Sequence, residues 1–382
     1  MKKVFGVDWN IFLLGLVSFF TDVSSEMIFS VFSIFVVTFL GFSTFLLGLM
    51  EGLSDFASSS LDYVSGFLSD KLGKKKFLTL SGYGFSTLAK SVLVIANSTV
   101  IAFSFRVLER LGKSFRGPPR DSWIASLSNK ESKGYSFGFH KTLDKAGAVV
   151  GPLIAYWLLS SFGQTLDTFH LLFIVALISS IIAVALLFLI PDKVEKPKKK
   201  EFFFSSFKNL SKNFKHYLLS ASIFSLAYFS FGFLMLKAYL IGFQIKDVVL
   251  LYALFNFSFV LFAIPIGKLG DWIGRKKIIA LSYVLYFIMS LGFVFATTKL
   301  EIILLFILFG LFYSIDEAQS KAYITDLEAK KKGVAIGSYN FVTGLVYLPA
   351  SVIAGLLWMV NPSYAFAFAG LTSITALIVF TL

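Results

Sequence analysis

The run Leu171–Ile190 contains no polar side chain except Ser179 and Ser180, and Val248–Ile266 is a second long apolar stretch. Each is close to the ~20 apolar residues an α-helix needs to cross a ~30 Å hydrocarbon layer. In lipid every backbone N–H and C=O must be satisfied within the segment or barrel, so such runs fold as helices. Composition agrees. Across 382 residues, 57% are hydrophobic and 15% charged, against about 25% charged in a soluble domain. That is too little charge to cover a globule of this size. The expected class is an all-α, multi-pass membrane protein; a soluble enzyme is excluded and no enzymatic activity is expected.

Hydropathy, turn residues and charge divide the chain into twelve spans: 9–39, 43–69, 76–96, 99–127, 133–161, 168–190, 216–243, 247–267, 277–297, 300–325, 333–359 and 363–381. The hydrophilic stretch 191–215, which contains Lys-Pro-Lys-Lys-Lys, separates a first group of six from a second. The domains expected are therefore an N-terminal bundle over 1–190, a basic cytoplasmic linker over 191–215 and a C-terminal bundle over 216–382. Phenylalanines 202–204 and 207, interleaved with lysine, suggest an amphipathic piece lying on the membrane surface. The basic start of the first span resembles a signal peptide. It runs on for nearly 30 residues with acids in its middle and no small-residue cleavage pattern, so a retained first helix is expected.

A net charge of +13 would point to nucleic acid in a soluble protein. Its distribution points to membrane orientation instead. Of 35 Lys and Arg, 23 fall at the N-terminus or in and beside the loops that follow even-numbered spans, while Lys246 and Lys299 alone fall in the opposite loops. By the positive-inside rule both termini and the linker are cytoplasmic, in a cytoplasmic (inner) membrane, with the lipid headgroups as partner and no nucleic acid. With no cysteine, and with His140, His170 and His216 never spaced i, i+4, no metal site is expected. Gly82-x-Gly84 lies in an apolar span and no P-loop occurs, so neither a cofactor nor ATP drive is expected.

An internal repeat carries more information. Gly66–Leu78 reads GFLSDKLGKKKFL between spans 2 and 3, and Gly267–Ile279 reads GKLGDWIGRKKII between spans 8 and 9. Six spans separate the copies, as in parallel repeats related by an axis along the membrane normal. Gly66 and Gly267 are expected to permit close helix approach, and Gly73 and Gly274 a tight turn. The basic residues Lys74 and Arg275 anchor the turns at the headgroups, while Asp70 and Asp271 sit where helix N-termini or arginines of the neighbouring half can hold them.

These loops resemble the signature of the major facilitator superfamily, G-x-L-x-D-(R/K)-x-G-(R/K)-(R/K). The first copy matches throughout; the second has Trp272 where a basic residue is usual. The resemblance implies that superfamily's fold, two pseudo-symmetric six-helix bundles, and transport by alternating access. It also implies a charge relay from Asp70 to the start of span 11 near Gly333 and to Arg116 or Arg120, which favours the outward-facing state.

Ionisable groups inside a bilayer cost at least ~2.5–3.5 kcal/mol each, so they face the bundle interior and suggest function. The spans hold nine such acids: Asp22, Glu26, Glu51, Asp55, Asp62, Glu109, Asp144, Asp316 and Glu317. Span 4 carries a stripe of Arg106, Glu109, Arg110, Lys113, Arg116 and Arg120, and spans 3, 5, 7 and 10 add Lys90, His140, Lys141, Lys145, Lys237 and Lys321. Most are expected to be internal ion pairs. A proton carrier must instead be able to neutralise, as a partly desolvated midplane carboxylate can. Asp22 and Glu26, at i, i+4 in a span without a base, fit that best, with Glu109 as a third coupling candidate. Arg106 and Arg110, with Glu51 and Asp55, are candidates for substrate binding, since arginine grips carboxylate or phosphate through two parallel hydrogen bonds.

Span 4 also resembles the superfamily's R-x-x-(Q/E)-x-x-G pattern in Arg106, Glu109 and Gly112, which the resemblance links to proton transfer; Arg110 stands where glycine is common. Span 5 contains Gly147, Gly151 and Pro152, similar to the antiporter motif G-x-x-x-G-P, without the glycine pair that usually follows. Physically it is a small-residue face beside a proline, a pliable hinge. The 47 phenylalanines are expected to face lipid or fill space. The function expected is a secondary transporter, a monomer, exchanging protons for a small-molecule substrate that it exports. The alternatives are transport of an anionic or chelated-metal solute, and a transport-inactive sensor or lipid-handling protein on the same scaffold.

Overall fold

A computed structural model describes residues 3–128, 133–191, 210–328 and 332–382. A short antiparallel hairpin, β1 (Lys3–Val4) and β2 (Val7–Asp8), precedes the helices. The first half of the chain then forms α1 (Trp9–Thr38), α2 (Thr44–Leu72), α3 (Lys75–Val94), α4 (Thr99–Leu127), α5 (Lys133–Phe162) and α6 (Leu166–Phe188). The second forms α7 (Lys212–Ala227), α8 (Gly232–Leu240), α9 (Ile245–Ile273), α10 (Arg275–Phe295), α11 (Lys299–Leu327), α12 (Lys332–Val360) and α13 (Pro362–Thr381). Each expected span coincides with one helix except the seventh, which is broken in two. Among the described residues, eight stretches are long and apolar enough to cross a membrane, with α7 and α8 counted as one. Three of the other four, α2, α4 and α11, carry most of the intramembrane charge.

The helix starts follow from local chemistry. Asp8, Ser98, Thr165, Ser211 and Asn361 each accept from a backbone N–H of the first turn, and Thr298 with Glu301 forms a capping box. Within the spans, hydroxyls return to carbonyls three or four residues back, as Thr21 does to Val17 (2.7 Å), so that few polar atoms meet lipid unpaired. On α6, Ile174, Ile178, Ile181 and Ile182 form an exposed stripe, the face lipid covers. The opposite face of the same helix packs Ala183 and Leu187 onto Leu13 and Val17 of α1, Tyr83 of α3 and Trp123 of α4.

The chain separates into two compact units. The first contains α1, most of α2, α3 to α6 and the short stretch Ile245–Leu250 at the start of α9. The second contains α7, α8, the remainder of α9, α10 to α13 and the stretch Phe42–Phe56 at the start of α2. Small residues explain the last assignment: a Cβ on Gly52 would lie 2.9 Å from the Leu348 carbonyl oxygen, and one on Gly355 would lie 2.5 Å from that of Thr44. The start of α2 is therefore in backbone contact with α12. The expected amphipathic piece at 202–207 and the basic turns around Lys130 and Lys331 lie outside the described residues.

The repeated turns are partly as expected. Gly73 (φ +65°) and Gly274 (φ +97°) occupy the left-handed region, where any Cβ is strained. Gly267 is not a close-approach residue: nothing lies within 4 Å of a Cβ built on it, and the close contact of that loop is instead Gly270 against the Gln319 side chain. Gln319 in turn donates to the Ile266 carbonyl (3.1 Å). Asp271 is held within its own loop, by Arg275 at 3.0 Å, and Arg275 also reaches Asp326 at 3.1 Å. Arg275 is four residues on, one helical turn along the chain, which brings its guanidinium to Asp271. The surroundings of Gly66 and the side chain of Asp70 lie outside what the structure describes.

Candidate functional site

Two pairs of glycines build the charged interior of the first unit. Gly82 of α3 faces Gly112 of α4, where a Cβ on either would lie 2.8 Å from the other's carbonyl oxygen. Backbone thus touches backbone, and the side chains flanking that contact are forced together. Lys90 of α3 is fully buried and donates to Ser25 of α1 (3.0 Å). Glu109 is fully buried as well, 3.9 Å from the Arg106 guanidinium, and the charges of Arg116, Arg110 and Lys90 also act on it. Neither Glu109 oxygen accepts a hydrogen bond among the described residues. Arg116 bonds to Ser86 and lies 4.9 Å over the Tyr83 ring. One acid therefore sits among four cations.

The second pair lies on α5. A Cβ on Gly151 would meet the Val23 carbonyl oxygen at 2.5 Å and the Met27 nitrogen at 2.9 Å, and one on Gly147 would meet Asp22 Cβ at 3.1 Å. The small-residue face read from the sequence is the seat of α1, and it sets where Asp22 and Glu26 point. Both acids are partly exposed at the middle of a 30-residue helix. Asp22 has no basic group within 4.0 Å among the described residues; the charges acting on it are Asp144, Glu26, Lys113 and Lys145. Lys113, halfway along α4, is exposed. A lysine facing lipid at that depth is costly, so this group opens onto a polar interior.

The stripe on α1 continues to Phe29, which sequence reasoning did not single out. Its ring lies 4.4 Å from the Arg106 guanidinium and 5.6 Å from that of Arg110. Spacing alone held a signal, since Asp22, Glu26 and Phe29 recur at i, i+4, i+7. Toward the N-terminal end of α1, Ser18 gathers three partners: His140 Nε2 (2.8 Å), Tyr83 (3.4 Å) and the Arg120 guanidinium (3.2 Å). Lys141 pairs with Asp144 at 2.7 Å. Arg120 and Arg116 are thus engaged by Ser18 and Asp121, and by Ser86, within their own unit.

Glu51 and Asp55 lie in the second unit. There Asp55 joins an aromatic set. The charges of Asp55 and Asp316 both act on the Tyr347 hydroxyl, and Asp316 also acts on Tyr228 and Tyr286. Eleven of the 15 tyrosines follow residue 216, an asymmetry readable in the sequence. Among the described residues no group of three or more His, Cys, Asp or Glu is arranged to hold a metal ion.

Residues 14–247 and 241–382 each match the sequence profile of the Major Facilitator Superfamily. An MFS-type transporter of Methanocaldococcus jannaschii is 35% identical over 376 residues, 96% of this chain and 92% of that protein. The multidrug resistance protein MdtH of Photorhabdus laumondii is 29% identical over 35% of this chain and 33% of its own length. Among solved structures, a point mutant of the nucleoside transporter NupG superposes with a TM-score of 0.81 at 14% identity, covering 97% of this chain and 99% of that one. A POT family transporter in complex with 5-aminolevulinic acid gives 0.80 at 13% identity, covering 100% and 97%. At such identities the structural likeness concerns the fold.

Proposed function

This chain belongs to the Major Facilitator Superfamily, a family of membrane transporters, and on that premise we propose that it exchanges protons for a small organic solute and expels the solute from the cytoplasm. Asp22 carries the reading. It is a partly exposed carboxylate at mid-depth, seated by Gly147, with no basic group within 4.0 Å among the described residues. A group that must load and release a proton needs both properties. Glu26 is the second carrier on the same face, and Glu109 with Arg106 transmits the change in charge to α4. The partial likeness to a multidrug resistance protein supports the direction of transport. The basic loops support cytoplasmic termini in an inner membrane.

The working cycle is alternating access by the two halves, 1–190 and 216–382, joined by the basic linker, with Asp70 and Asp271 as the loop acids that favour one state. The chain has no cysteine, so single cysteines introduced on either side report access directly. Asp70→Asn is expected to shift labelling toward the cytoplasmic side; an unaltered pattern removes that role.

A second reading has one observation of its own. Arg106 and Arg110 share the Phe29 ring, an arrangement that suits an anion. Proteoliposomes holding a pH-sensitive dye decide between the readings. Cations, neutral solutes and carboxylates are added in turn, and efflux of protons with a cationic or neutral solute is expected. Proton movement with carboxylates alone would favour the second reading. A folded protein that moves protons with none of these solutes would leave the sensor alternative.

A further inference from the structure

The second unit contains a feature that the proton pathway does not use. The span covering Lys212–Leu240 is unwound at residues 228–231, near its middle, between α7 and α8. No proline causes the break. Irregular backbone at membrane depth persists only where protein or a water-filled space satisfies it. Here Tyr286 donates to the Ala227 carbonyl (2.7 Å), and Gly232 N–H donates to Ser230 Oγ (3.2 Å). The carbonyl end of α7 therefore points into the middle of the unit, and a helix C-terminus carries partial negative charge.

Around that end stand aromatic faces. The Tyr228 ring lies 5.7 Å from Tyr347, 6.3 Å from Tyr286 and 6.2 Å from Phe312, and Tyr286 lies 4.8 Å from Phe312. Asp316, one turn beyond Phe312 on α11, brings a carboxylate to the same cluster, bonded by Ser320 Oγ (3.2 Å). The nearest base on that helix, Lys321, is occupied by Glu317 at 2.5 Å. Tyr286 is buried, but Tyr228, Tyr347 and Asp316 are partly exposed, so the rings border open space. Tyrosine faces, a helix carbonyl end and a carboxylate all attract positive charge and repel negative.

We propose that the cluster of Tyr228, Tyr286, Tyr347, Phe312 and Asp316, closed by the carbonyl end of α7, is the solute site and that its ligand is an organic cation. The proposal rests on the reading of the chain as a solute transporter and names the substrate class. Ring faces supply affinity that tolerates ligand shape, and Asp316 supplies the counter-charge. The site belongs to the second unit and Asp22 and Glu26 to the first, so solute and proton have separate seats.

Two ions of the same shape and opposite charge test this: tetraphenylphosphonium and tetraphenylborate. With the purified full-length protein in detergent, saturable binding of radiolabelled tetraphenylphosphonium is expected, poorly displaced by tetraphenylborate. Asp316→Asn is expected to weaken it at least tenfold and Asp316→Glu by less than threefold. Tyr228→Leu is expected to weaken it several-fold, whereas Tyr228→Phe, which keeps the ring face, stays within about twofold. The charge-preserving and ring-preserving variants keep the test decisive if Asp316→Asn does not fold. Unchanged affinity in Asp316→Asn, no saturable cation binding, or preference for the borate would overturn the proposal. Cation binding without any proton exchange in liposomes would remove the antiport reading and leave this site standing. Proton exchange for a neutral solute without cation binding would do the reverse.

Discussion

Neutralising Asp22 and Glu26 together (Asp22→Asn with Glu26→Gln) is expected to abolish transport driven by a pH gradient while solute counterflow continues. Counterflow exchanges solute for solute and requires the protein to change state, but it does not require a proton to be carried. The contrast therefore isolates the carrier from the machinery. The expected loss is at least tenfold, because each variant side chain has no ionised form to offer at any pH. Structure places both acids on the face of α1 that Gly147 and Gly151 hold against α5, with Lys113 of α4 opposite. Intact proton coupling in the double variant would rule the assignment out, and Glu109 would become the leading candidate.

A bulky side chain at Gly151 is expected to have the largest effect on the folded protein. A Cβ there would already lie 2.5 Å from the Val23 carbonyl oxygen and 2.9 Å from the Met27 nitrogen, both backbone atoms that cannot rotate away. Gly151→Leu must push α1 from α5, at a cost of about 1–3 kcal/mol or more for overpacking. The displacement moves Asp22 and Glu26 as well, so flux is expected to fall with the thermal midpoint. Gly84→Leu is the matched control, since nothing lies within 4 Å of a Cβ at Gly84. Equal melting of Gly151→Leu and wild type would show that the contact does not hold α1 in place.

Much of this was legible in the residues. Apolar runs of about 20 residues allow one secondary structure in lipid, so the spans could be located by counting. The repeated loop named the family because its glycines must adopt the left-handed backbone seen at Gly73 and Gly274. The pairing of Arg106 with Glu109 followed from i, i+3 spacing on one helix. What was not legible depended on neighbours far away in the chain. Gly267 and Gly270 look alike in sequence, yet only Gly270 has a side chain, Gln319, beside it. The turn at Phe5 and Gly6 preceding α1, with φ of +48° and +78°, is held by Tyr135, about 130 residues on, which bonds the Phe5 carbonyl (2.9 Å).

The broken seventh span is the clearest case. Nothing between residues 212 and 240 forbids a continuous helix, and hydropathy reads straight through. At the unwound turn the Tyr286 hydroxyl, from a different helix, satisfies the Ala227 carbonyl. Sequence by itself determined that this chain spans a membrane many times, which loops repeat and which helices carry charge, since those properties follow from solvent and local spacing. Which charges meet and where aromatic rings gather were decided only by tertiary packing, because a side chain's neighbours inside the bilayer come from other helices.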